Sequence, residues 1–100
     1  MPVLLLVQHG SQVMSATFCF SVHTDAEPSA LPRVMEVFAL HGHIPARCHI
    51  ERSGPGGQDL VIDAQLEGLG PSEAALVAKR LGRVVSVMQV LWSEKRRCAA

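Results

Sequence analysis

The chain has 100 residues, enough for one domain and no more. Hydrophobic residues make up 48%, sufficient for one core, although chains this short often gain stability by associating. Nine basic residues balance nine acidic ones, which removes the electrostatic case for nucleic acid or an anionic membrane surface. Cys19, Cys48 and Cys98 are odd in number and form no CxxC pair, so neither a disulfide framework nor a zinc site is expected. Reduced thiols of this kind point to the cytoplasm. The apolar run Val3 to Val7 is too short to span a membrane and lacks the basic flank of a signal peptide.

Met14-Ser15-Ala16-Thr17 has the look of a natural start, so residues 1–14 are expected to be an N-terminal extension, non-native or an extra strand. Thr17 to His23 alternates, with Phe18, Phe20 and Val22 on one face, which predicts a half-buried strand. Asp25 to Pro28 is turn chemistry, and Ser29 is a plausible N-cap, placing Pro32 at the third helical position. Leu31, Val34, Met35, Phe38 and Ala39 then form one apolar stripe, and Gly42 supplies the stop. Ile44 to Glu51 alternates as a second strand with Ile44, Ala46, Cys48 and Ile50 inward. Ser53 to Gly57 is a glycine-rich loop, and Asp59 to Glu67 a third strand with Leu60, Ile62, Ala64 and Leu66 inward. Gly68 to Pro71 breaks the chain ahead of a helix that buries Ala74, Val77, Ala78 and Leu81 and ends at Gly82. Val84 to Trp92, rich in β-branched residues, is the fourth strand, and Lys95-Arg96-Arg97 belongs to a solvated tail over 94–100. The order β-α-β-β-α-β specifies an α+β ferredoxin-like fold, a four-stranded antiparallel sheet with two helices on one face.

No pattern assembles a catalytic site. The five histidines lack the three or four convergent ligands that zinc requires. Ser53-Gly-Pro-Gly-Gly57 has no Lys-Ser/Thr tail and precedes a strand, unlike a phosphate loop. An RNA-binding domain of the same element order would need aromatic residues on the outer face of the first and third strands. Phe18 and Phe20 share the core face, and the third strand has none. Outward positions such as Cys19, Ser21, Arg47, His49 and Asp63 form a mixed face, equally suited to solvent or to an interface.

From Ser15 to about residue 93 the chain resembles an ACT domain, carried by Glu27-Pro-Ser-Ala-Leu-Pro-Arg-Val-Met-Glu-Val-Phe38, His41-Gly-His43 and Leu81-Gly-Arg-Val-Val-Ser-Val87. Within that family it is most similar to the small regulatory subunit of acetolactate synthase, of the short valine-insensitive type, through Pro-x-x-Leu-x-Arg-Val and Leu-x-Arg-Val-Val-x-Val. The resemblance implies a non-catalytic subunit in branched-chain amino-acid biosynthesis and a homodimer joined through sheet edges. It binds no cofactor itself; thiamine diphosphate, magnesium and FAD belong to the large-subunit partner. The alternative is a free-standing ACT domain that senses an amino acid at the dimer interface.

The effector positions that the resemblance implies are Asp25, Ala26, Glu27, Pro28, Ser29, Ala30 and Leu31 of one copy with His43, Ile44, Pro45 and Ala46 of the other. Free N–H groups at a helix start suit a carboxylate. Valine-binding relatives carry asparagine at Ala26 and glycine at Ser29. The Ser29 hydroxyl is expected to cap the N–H groups that a ligand would use, and Pro32 removes another donor. Contact with a protein partner is therefore expected to outweigh amino-acid sensing.

Overall fold

A computed structural model describes residues 16–95 of the chain. The readings of residues 1–14 and of the tail beyond Lys95 lie outside the described residues. Strand β1 (Ala16–Asp25) is followed by helix α1 (Ala30–Leu40), strand β2 (Arg47–Ser53), a 3-10 turn (Pro55–Gly57), strand β3 (Asp59–Leu69), helix α2 (Pro71–Leu81) and strand β4 (Val87–Lys95). The strands form one antiparallel sheet in the order β2-β3-β1-β4, the ferredoxin-like arrangement expected from the element order.

Alternation sets the two faces of this sheet. Phe18, Phe20 and Val22 of β1 stand beside Leu66, Ala64 and Ile62 of β3, and all six are buried. Ala30, Val34, Val37 and Phe38 of α1 cover them together with Ala74, Val77, Ala78 and Leu81 of α2. Phe20 lies at the middle of this core, 6.1 Å from the Phe38 ring and stacked at 6.3 Å on Trp92. Such aromatic pairs add about 1 kcal/mol each beyond the area they bury.

Four details depart from the sequence reading. Helix α1 buries Val37 and leaves Ala39 exposed, so the apolar stripe lies slightly rotated from the expected one. Both residues suit a helical stripe, and the seat of α1 against α2 and the sheet decides which of them is buried. Strand β2 begins at Arg47, and Ile44 is 91% exposed instead of inward. Pro45 has no N–H for a ladder, and the first rung comes from Ala46 N–H to the Gln65 carbonyl at 2.8 Å. Cys48 and Ile50 do share a face with the buried Ala64 and Ile62 opposite them, yet both are exposed at this sheet edge.

Gly68 does not end β3. With φ +79 it forms a bulge, three steps of β3 (Leu66 to Leu69) spanning what two steps of β1 (Ala16 to Phe18) span. The last strand starts at Val87 instead of Val84. Successive turn bonds occupy the intervening residues, with Val84 N–H donating to Leu81 and Val87 N–H to Val84. Val85 is left 86% exposed and Ser86 is buried. Trp92 and Leu91 point to opposite faces, Trp92 against Phe18 and Phe20 on the core side.

Candidate functional site

The candidate effector residues fall into two groups at opposite ends of one molecule. Asp25 pairs with Asp59, which pairs with Ser53, so the first group lies at the Ser53 end of the sheet. The second group leads into Arg47 at the other end of the same edge strand. Six residues of extended strand separate the ends, about 20 Å. One copy therefore does not bring the two groups together.

In the first group, Asp25, Glu27 and Pro28 are exposed, Ala26, Ser29 and Leu31 half-buried, and Ala30 buried. The turn is pinned by Ala26 N–H donating to the Gln58 carbonyl at 2.9 Å and Asp25 N–H to Ser86 at 3.2 Å. Beneath it the buried Thr24 hydroxyl donates to the Asp25 carbonyl at 2.8 Å.

The Ser29 side chain makes no capping hydrogen bond, contrary to expectation. A capping side chain accepts from the second or third helical N–H, and the third position is Pro32, which has none. Ser29 also sits at φ −80, ψ −11, in helical rather than extended backbone. Ala30 N–H donates to the Glu27 carbonyl and Arg33 N–H to that of Ser29, while Leu31 N–H has no backbone partner among the described residues. Ser29 N–H likewise has no backbone partner among the described residues, so Ser29 and Leu31 N–H are the donors that this turn offers to a ligand.

In the second group, His43 is fixed and the rest is open. Its Nε2–H donates to Glu73 Oε2 at 2.7 Å, tying the α1–β2 connection to the first turn of α2. Thirty residues separate the two, and no periodicity in the sequence links them. Ile44 and Ala46 are exposed and Pro45 half-buried.

The remaining polar side chains are distributed over the sheet. Ser21 and His23 lie 3.3 Å apart, and His49 lies 3.6 Å from Glu51. No three His, Cys, Asp or Glu side chains converge as metal ligands among the described residues. Cys48 is a free thiol whose pKa is raised, first by partial burial and then by the negative charge of Asp63. No helix among the described residues is long and apolar enough to cross a membrane.

The fold recurs in solved structures. The ACT domain of the GTP pyrophosphokinase of Chlorobium tepidum superposes with a TM-score of 0.67 at 6% identity, over 79% of this chain and 99% of that one. The C-terminal domain of the MgtC protein from Mycobacterium tuberculosis gives 0.65 at 13% identity, over 82% and 89%. An uncharacterised protein from Thermotoga maritima gives 0.65 at 11%, over 82% and 99%. At such identities the likeness is one of fold. No curated protein matches the chain. The sequence itself matches the ACT-like domain over residues 11–98, and the chain belongs to that family.

Proposed function

We propose that this chain is a non-catalytic regulatory domain whose effector site is completed by a second copy paired along the β2 edge. The observation that carries this reading is the position of the two candidate groups at opposite ends of an exposed edge strand. Antiparallel pairing of two β2 strands about a twofold axis would place the Ile44–Ala46 segment of one copy at the Ser53 end of the other, where its Asp25 turn lies. All seven β2 residues are exposed, with Ile50 among them and Ile44 and Leu40 exposed nearby. An edge with this much apolar surface invites pairing.

The finer reading is the activating small subunit of acetolactate synthase, supported by the Pro28-x-x-Leu31-x-Arg33-Val34 and Leu81-x-Arg83-Val84-Val85-x-Val87 segments. Acetolactate formation by the cognate large subunit, measured with and without this chain, tests it. Strong activation that valine, leucine and isoleucine leave intact supports it, and no activation refutes it. A free-standing amino-acid sensor is the second reading. The free Leu31 N–H and the absent Ser29 cap favour it, because a carboxylate would meet an open donor there.

A further inference from the structure

The chain between α1 and β2 has no regular structure, yet it is fixed at three points. Gly42, at φ +79, lets His43 N–H turn back to the Phe38 carbonyl at 2.9 Å and close the helix. The His43 side chain donates from Nε2 to Glu73 Oε2 at 2.7 Å. Further on, Ala46 N–H donates to the Gln65 carbonyl at 2.8 Å and starts the edge ladder. Only Ile44 and Pro45 lie between these points. Proline restricts its own φ and the backbone of the residue before it. Ile44 is thus held out into solvent at the head of the β2 edge, with Leu40 of α1 also exposed.

Single exposed apolar side chains are ordinary, but most are carried by backbone that nothing ties to the rest of the fold. Here the tie that reaches furthest is His43 to Glu73. Glu73 belongs to the first turn of α2, which packs on β1 and β4, whereas β2 is the opposite edge of the sheet. A side chain of α2 therefore sets the position of a segment that leads into the far edge strand.

We propose that the His43–Glu73 contact is a clamp that preorganises the Ile44–Ala46 segment for a second copy, a role that rests on the β2-paired dimer proposed above. A segment that is already ordered loses less conformational freedom on association. Only molecules with the clamp closed are competent to pair, so the apparent dissociation constant rises as the closed fraction falls. Loss of a half-exposed pair of this kind changes that fraction by about twofold. A twofold dimer contains two clamps, which makes the effect on dimerisation about fourfold.

Sedimentation equilibrium of the full chain tests the clamp. Glu73→Ala should weaken the dimer about fourfold, and that effect should vanish in a His43→Ala background, because the contact is already gone there. Glu73→Gln, whose side-chain carbonyl still accepts from His43, should restore most of the affinity. A monomeric background, Ile50→Lys, separates the clamp from a general loss of stability. In it Glu73→Ala should lower the urea midpoint by about 0.5 M or less. A dimer constant unchanged by Glu73→Ala overturns the clamp and leaves edge pairing in place. So does a Glu73→Ala effect that persists undiminished beside His43→Ala. A wild-type chain that stays monomeric at high micromolar concentration removes the edge pairing itself, and the clamp with it.

Discussion

Replacing Phe38 by alanine is the sharpest test of how α1 sits on the sheet. Phe38 is fully buried with its ring 6.1 Å from Phe20, whereas Leu40, two residues on, is 75% exposed. Removing a buried phenylalanine side chain costs about 3–5 kcal/mol, because the lost transfer energy is joined by the cavity left behind. An exposed leucine costs no more than about 0.5 kcal/mol. Urea unfolding reads this through Trp92, the single tryptophan, which stacks on Phe20. With a slope of about 1 kcal/mol per molar, Phe38→Ala should lower the midpoint by about 3 M or more, and Leu40→Ala by about 0.5 M or less. All variants are compared at one protein concentration, since association would itself add stability. If Phe38→Ala leaves too little folded protein, Phe38→Leu, at about 1 kcal/mol, keeps the comparison with Leu40→Ala measurable. Equal costs at positions 38 and 40 would refute this placement of the helix.

Three further outcomes follow from particular contacts. The raised pKa of Cys48 means that its thiolate appears at higher pH than in an ordinary cysteine. In a Cys19→Ser/Cys98→Ser background, iodoacetamide should therefore react with a shifted pH midpoint, and Asp63→Asn should move that midpoint down by removing the smaller of the two causes. Gly54 holds φ +80 and ψ 169, a region open essentially to glycine, and an added Cβ would meet Asp59 Oδ2 at 2.6 Å. Gly54→Ala should cost about 1–3 kcal/mol in thermal unfolding, more than Gly68→Ala, where the added Cβ has nothing within 4 Å. Loss of the half-exposed His43–Glu73 contact in Glu73→Ala should cost only about 0.5 kcal/mol, yet speed hydrogen exchange in the segment leading into β2.

The strand faces were legible because alternation is local. Phe18, Phe20, Val22, Ile62 and Leu66 needed no knowledge of the rest of the chain to be placed inward. The departures arise where a neighbour decides. Whether Val37 or Ala39 meets the sheet depends on the helix's seat against α2 and β3, and both residues are compatible with a helical stripe. Val84 and Val85 favour strands, but the chain must first leave α2 through consecutive turns, and context overrides their propensity. Gly68 resembles a terminator until its partner strand shows it to be a bulge. The effector turn was visible as turn chemistry, and Pro32 already signalled that the third helical donor was missing. What sequence spacing did not contain was the distance between the Asp25 turn and the Ile44 segment, which the sheet register sets.

Sedimentation equilibrium of the intact chain beside its Ile50→Lys variant bears most directly on the two-copy site. Ile50 lies midway along β2, 43% exposed, where a lysine on each copy would bring like charges together across a paired edge. A dimer that becomes a folded monomer on Ile50→Lys is the expected result. A wild-type chain that stays monomeric at high micromolar concentration, or a dimer indifferent to the substitution, would contradict pairing through β2.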